Sequence, residues 1–326
     1  MVAAASLLLG CGGSYRAKAP PDDAPRGVAA AALPFAVLDG RDGHEVPAAE
    51  LWARLRAARA VCAGEQHDSP HDHWMQLQVL DHLSTPAGSL GLGLEMVQQP
   101  FQGVLDDWSA ARIDEAALRS RTAWAQRWGF DFALYRPMLE LARDRHVAVV
   151  ALNAPAELVK RVARVGVAGL DASERARLPQ LDLADAQHRA WFDQMMASVG
   201  GGHGHGHASD EPDDDADDAP AESPPAPPPT MPKPDDIYAA QVVWDESMAD
   251  GAARWLAAGP ARRLLILAGV GHCHDSAIVR RLRRRGPATV VSVRPLIDDG
   301  EGNVAAALAE GVTDYLFVMT APRPAH

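Results

Sequence analysis

Ala60-Val61-Cys62-Ala63-Gly64-Glu65-Gln66-His67 is the stretch whose reading decides the fold. An apolar run too short for a helix ends at a glycine and passes into a carboxylate and an imidazole, as a buried strand does where it reaches a polar rim. The pattern recurs. Leu90–Leu94 runs into Glu95, Val147–Leu152 into Asn153, and Arg263–Ala268 into Gly269-Val270-Gly271-His272-Cys273-His274. Two more strand-length runs lie at Ala288–Val293 and Tyr315–Met319. Helical periodicity separates the runs, over His73–Leu83, Leu134–Ala142, Ala156–Val165, Tyr238–Leu256 and Ser276–Arg285. Strands alternating with helices dictate parallel pairing and right-handed crossovers, so the expected class is α/β, a mainly parallel sheet covered by helices. Phe101–Arg127 and Ala172–Val199 are longer than single crossovers need and are expected to form a helical cap or subdomain.

Ligands of parallel sheets bind beyond the carboxyl ends of the strands, and here four strand ends carry groups able to bind metal or move a proton. Glu65 and His67, two apart, share a side of an extended chain. A carboxylate with an imidazole is an ordinary pair of ligands for zinc, manganese or iron. Glu95 adds a second carboxylate and His272 a second imidazole, a set expected to hold a divalent metal ion with open positions for water. Without a metal, Glu65 or Glu95 would orient a histidine acting as general base. Tyr135 and Arg136 open a helix before Pro137. Arg136 suits bidentate capture of a carboxylate, Glu95 among them, and Tyr135 suits ligation of ferric haem as a phenolate. His71 and His73 are expected on a solvated first turn. The tryptophans of the helical parts read first as core and second as walls for a planar ligand.

The chain has 326 residues, 47% apolar and 23% charged, which excludes disorder as its main state. Its net charge of −12 shows no basic footprint for nucleic acid. Residues 203–234 alone contribute −7 of that charge, so the acidity belongs mostly to one tract. That tract, 200–234, runs from HGHGH through an acidic block into PPAPPPTMPKP and is expected to be a disordered insertion. No apolar run reaches the roughly 18 to 20 residues of a membrane-spanning helix. Three cysteines are too few and too scattered for a disulfide framework or a thiolate zinc site, and Cys62 reads as an inert core residue. Cys11 differs: it follows Leu8-Leu9-Gly10 and resembles the lipidated cysteine of a bacterial lipoprotein. The expected organisation is a signal at 1–11, a Pro/Ala-rich tether at 12–33 and an α/β domain at 34–320 interrupted by the insertion.

Six motifs in order also carry a family resemblance: Gly64-Glu65-Gln66-His67-Asp68, Leu94-Glu95-Met96 with Gln98, Tyr135-Arg136-Pro137, Ala151-Leu152-Asn153-Ala154-Pro155, Gln241-Val242-Val243-Trp244-Asp245-Glu246-Ser247-Met248-Ala249, and Gly269 to His272. In this order they resemble the ChaN-like haem-binding lipoproteins, a branch of a superfamily that includes the Tiki proteases, TraB proteins and erythromycin esterases. The resemblance implies an α/β fold with a helical cap and a haem-binding protein of haem or iron uptake. It implies a lipid anchor to a membrane of the bacterial cell envelope, facing the periplasm or the cell surface, and a homodimer or an outer-membrane haem receptor as partner. With haem as cofactor, Tyr135, Arg136, His71 and His274 are the candidate contacts. The superfamily's two G-x-x-H motifs correspond to Gly64–His67 and Gly269–His272, and its acidic residue to Glu95. These positions imply the alternative of a metal-dependent hydrolase, protease-like or esterase-like. A chain lacking residues 203–234 is expected to keep one cooperative thermal transition, followed by circular dichroism; loss of that transition would refute a dispensable insertion.

Overall fold

Successive residues of strand β2 (Ala60–Glu65) point to opposite faces of a sheet, and different helices cover the two faces. Val61 and Ala63 join one apolar cluster, Ala60 and Cys62 another. Strand β5 (Arg263–Gly269) divides likewise, Leu265 and Leu267 against Leu264, Ile266 and Ala268. Burial on both faces explains why these strands read as unbroken apolar runs. The computed structural model describes residues 33–84, 90–200, 232–286 and 289–320. The expected signal at 1–11 with Cys11, nearly all of the tether at 12–33 and the insertion from 201 to 231 lie outside the described residues.

The described sheet has seven strands. To β2 and β5 are added β1 (Phe35–Asp39), β3 (Leu90–Gln98), β4 (Ala148–Asn153), β6 (Val290–Asp298) and β7 (Tyr315–Thr320), in the order β1-β7-β6-β2-β5-β3-β4. All pairs are parallel except β1 with β7. The six expected strands are present. β1, whose apolar run is short and half exposed, is the one the periodicity did not single out. At the opposite edge, the Gln102 side-chain amide donates to the Val149 carbonyl (2.9 Å) and accepts from the Ala151 N–H (2.7 Å). It stands in for a neighbouring strand and blunts the open edge.

The helices are α1 (Ala48–Ala57), α2 (Pro70–Leu83), α3 (Gln102–Ser109), α4 (Glu115–Arg121), α5 (Trp124–Arg127), α6 (Arg136–Asp144), α7 (Ala156–Val165), α8 (Ala172–Arg175), α9 (Ala186–Gly200), α10 (Pro234–Ala257), α11 (Arg280–Arg285) and α12 (Asn303–Glu310). Helices α1, α2, α3 and α6 supply the first apolar cluster, and α10 and α11 cover the other face. α2 begins at Pro70, ahead of the apolar periodicity, because the Ser69 hydroxyl accepts the Asp72 N–H and proline suits the first helical position. The long stretches expected as cap divide into several helices, the short α3 to α5 in one and α8 with the 15-residue α9 in the other. Close packing of α10 on the sheet requires Gly91, where a Cβ would come within 2.8 Å of the Trp255 ring.

One expectation is overturned. Cys62 is not an inert thiol but forms a disulfide with Cys273, with Cα atoms 5.4 Å apart and both residues buried. The two lie 211 residues apart, and only the pairing of β2 with β5 brings the segment after β5 over the β2 strand. The disulfide therefore ties the strand that carries Glu65 to the loop that carries His272. Replacing Cys273 by Ala is expected to lower stability by about 2–4 kcal/mol, the usual worth of a bridge closing a long loop, measured by urea unfolding of the oxidised chain.

Candidate functional site

The carboxyl ends of β2, β3 and β5 meet as expected, and each contributes through a different local device. β2 ends on Glu65, and the chain continues so that His67 turns back toward it. β3 has a register shift between Leu94 and Gln98, which turns Glu95 out of the regular ladder. β5 ends on Gly269, whose N–H donates to Glu95 Oε2 (2.7 Å). Glycine is required there, because a Cβ would lie 2.9 Å from His67 Cε1 and 3.2 Å from His67 Nε2. His67, Glu95 and the end of β5 thus share one small volume.

Glu65 is fully buried and saturated with donors. Its Oε1 accepts from His67 Nδ1 (2.8 Å) and the Tyr135 hydroxyl (2.7 Å), and its Oε2 accepts from Gln76 Nε2 (2.8 Å). His73 Nδ1 lies 3.5 Å from the same Oε2. Burial pushes the Glu65 carboxyl up, but His73, the bond from His67 and the Tyr135 hydroxyl together hold it below the usual range. His67 responds in the opposite direction. Burial lowers its imidazole, yet the Glu65 bond and the charges of Glu95 and Glu65 raise it overall. With Nδ1 committed to the carboxylate, the second nitrogen, Nε2, faces Gly269 and the rim. His67 retains 7% exposure between exposed Gln66 and Asp68, and the rings of Trp128 and Phe130 lie 4.6 and 4.8 Å from it, centroid to centroid.

His272 has a carboxylate of its own. Its Nδ1 is 2.7 Å from Asp245 Oδ1 and its Nε2 is 3.4 Å from Glu95 Oε1. Asp245 belongs to α10 and is buried; burial would raise its carboxyl, but His272, His188 and Arg281 hold it far below the usual range. His272 is buried too, which lowers its imidazole, and Glu95 and Asp245 more than reverse that. The arrangement is two carboxylate-oriented imidazoles with Glu95 between them. Such pairs can bind a ligand through Nε2 or exchange a proton there.

The sequence candidates separate cleanly. Glu65, His67, Glu95 and His272 come together; Arg136, His71 and His274 have other surroundings. Among the described residues no group of three or more His, Cys, Asp or Glu side chains is arranged to hold a metal ion. The expected divalent metal set is therefore not supported, because its members are turned into pairs with one another. Tyr135 is 2% exposed and donates to Glu65, and burial with that carboxylate raises its phenol well above the ordinary value, so its oxygen is engaged within the core rather than presented as a phenolate. Arg136 does grip a carboxylate with both nitrogens, but that of Glu115, at 2.6 and 2.9 Å. His274 is buried with its ring 4.2 Å from Trp191 on α9, and His71 is half buried at the first turn of α2. His73, expected in solvent, is fully buried behind Glu65, donor-paired with Gln76 and the His67 carbonyl. Asp245 lies within the Gln241–Ala249 motif, where nothing in the local pattern marks it as the partner of His272. His188 had no sequence signal, since nothing local distinguishes a buried histidine from others on a helix.

Comparison with known proteins gives four findings. A family model described as haem-binding uptake, Tiki superfamily, ChaN, matches residues 51–282. The fold is similar to that of ChaN of Campylobacter jejuni, whose structure is described as showing cofacial haem binding, with a TM-score of 0.61 and 15% identity over 88% of this chain and 97% of that one. An erythromycin esterase mutant in its open conformation is more distant, with a TM-score of 0.42 and 11% identity over 76% of this chain and 72% of that one. The chain is also 30% identical over 133 residues, 38% of its length, to Protein RETICULATA-RELATED 5, chloroplastic, of Arabidopsis thaliana, and spans 18% of that protein.

Burial lowers the His274 imidazole to about 3, so below about 6.5 the unfolded chain binds a proton that the folded chain does not. Its contribution is fully present above about 6.5 and is lost as pH falls toward 3. Asp72, raised by burial to about 6, acts in the opposite sense between about 3.8 and 6. The difference between the parent chain and His274→Leu isolates the histidine. Urea unfolding should show the parent losing about 2 kcal/mol more than the variant between pH 6.5 and 4.5.

Proposed function

We propose that this chain, which belongs to the ChaN family of haem-binding uptake proteins in the Tiki superfamily, binds haem at the rim of its sheet with His67 as the iron-facing residue. The observation that carries the assignment is the Glu65–His67 pair. The carboxylate accepts a hydrogen bond from Nδ1–H and fixes the ring, leaving Nε2 as the ligating atom, the form in which imidazole binds iron. Trp128 and Phe130 beside it supply apolar ring surface of the kind a porphyrin packs against. The donor set therefore fits haem, which would supply a redox-active iron at the rim. Tyr135 has a supporting role here: its hydroxyl and Gln76 hold the carboxylate that orients His67.

The proposal extends to haem or iron uptake at the bacterial cell envelope, with the mature chain anchored through a lipidated Cys11 and a homodimer mate or an outer-membrane haem receptor as transfer partner. The short apolar leader before Cys11 supports it. So does the Cys62–Cys273 disulfide, since such bonds persist mainly outside the reducing cytosol.

A second reading rests on an observation of its own, the Asp245–His272 pair facing Glu95. Two imidazoles, each held by a carboxylate, are equipped for acid–base hydrolysis of an ester or amide with no metal ion in the set.

Ferric haem titration followed at the Soret band tests the first reading. The parent chain is expected to bind, His67→Ala to lose at least tenfold in affinity, and Tyr135→Phe to retain the band shift with a smaller loss. A shift that survives His67→Ala and disappears in Tyr135→Phe would overturn His67 in favour of a phenolate ligand.

A further inference from the structure

Asp245 is shared by two imidazoles. His272 Nδ1 is 2.7 Å from its Oδ1, and His188 Nε2, from helix α9, is 3.1 Å from its Oδ2. All three side chains are at most 1% exposed. The far side of His188 settles where the protons are. Its Nδ1 is 3.2 Å from Arg281 Nη2 and 3.2 Å from the Tyr238 hydroxyl. A guanidinium only donates, so His188 Nδ1 accepts from Arg281 and its proton is on Nε2, the nitrogen that lies 3.1 Å from Asp245 Oδ2. An ionised carboxylate only accepts, so the other oxygen of Asp245 accepts from His272 Nδ1–H, a shorter contact than the 3.3 Å one between Gln241 and the same nitrogen. His272 Nε2 is then left toward Glu95.

Arg281 is itself fixed. It is buried, donates to the Ser276 and Ala277 carbonyls, and lies 3.4 Å from Glu246, which Arg284 and Arg285 also engage at 2.6 Å. Arg281, which has no acceptor, sets the direction of its own bond to His188 and, through it, which nitrogen of His188 faces Asp245 with a proton.

We propose that His188 and Asp245 are positioning residues for His272: set by Arg281, they hold its proton on Nδ1 and its Nε2 toward Glu95, and so couple helix α9 to the rim. The coupling matters for ligands only if the rim is the ligand site, as proposed above, but the proton assignment stands independently of that reading.

The test is long-range proton–nitrogen NMR of the full chain labelled with [15N]histidine, recorded on the alkaline side of the imidazole titration. In the parent chain His272 is expected to show a protonated Nδ1 and an unprotonated Nε2. His188→Leu removes a donor from Asp245, and the two His272 resonances should move toward a tautomer average. His188→Gln, whose amide can donate to the same oxygen, should restore them. In Asp245→Asn the remaining His188 proton selects the amide oxygen, which turns the amide nitrogen to His272 Nδ1 and should move the proton to Nε2, as the equivalent change does in serine protease triads. A parent His272 carrying its proton on Nε2 would overturn the proposal. So would unchanged His272 resonances in His188→Leu that still melts cooperatively, or, should that variant not fold, unchanged resonances in Asp245→Asn. Haem titration of the same samples addresses the rim reading separately: a parent chain without a Soret shift would sink that reading and leave the proton assignment intact.

Discussion

A carboxylate removed from water must be given hydrogen-bond donors or lose its charge, and among the carboxylates this protein buries, Glu65 and Asp245 each hold a histidine at the same end of one sheet. Their donors come from scattered parts of the chain. Glu65 takes Gln76 from α2, Tyr135 from the turn before α6 and His67 from its own loop. Asp245 takes His272 from the segment after β5 and His188 from α9. Satisfying two charges therefore draws helices from both faces of the sheet, and part of the cap, to the rim. The disulfide reinforces the arrangement by joining the strand beneath Glu65 to the residue next to His272.

The result is a near-symmetric sequence of contacts on either side of Glu95. On one side His73 backs Glu65, which orients His67; on the other His188 backs Asp245, which orients His272. The two sides are unequal in access. His67 keeps some exposure and aromatic neighbours, whereas His272 is enclosed. That inequality is why the haem proposal turns His67 rather than His272 toward the ligand; His272 Nε2 instead lies 3.4 Å from Glu95 Oε1. The haem proposal draws on the family to which the chain belongs and on the Glu65–His67 pair together.

Much of this was legible in the sequence. Buried parallel strands must be apolar on both faces, so six strands stood out as runs, and the ends of such strands are where ligands gather, so Glu65, His67, Glu95 and His272 could be grouped without coordinates. The sequence leaves two arrangements of those four open, a metal set or a carboxylate orienting a histidine, and only packing decides between them. A carboxylate next to an imidazole reads as a metal pair until the donors filling the carboxylate are known. Gln76, Tyr135 and His73 fill Glu65 from 11, 70 and 8 positions away, and no local pattern marks them as its partners. Tyr135 shows the same blindness in reverse, since its motif was visible and its orientation was not.

The sequence by itself determined the class of fold, the rim and the identity of the four groups upon it, because strand burial and strand ends are written in local composition. Only the tertiary structure decided the pairings: Cys62 with Cys273, Arg136 with Glu115 rather than Glu95, Asp245 between two histidines. Local periodicity reports whether a side chain is buried. Which donor reaches which acceptor depends on how distant elements pack, and that is fixed by sheet order and helix placement together.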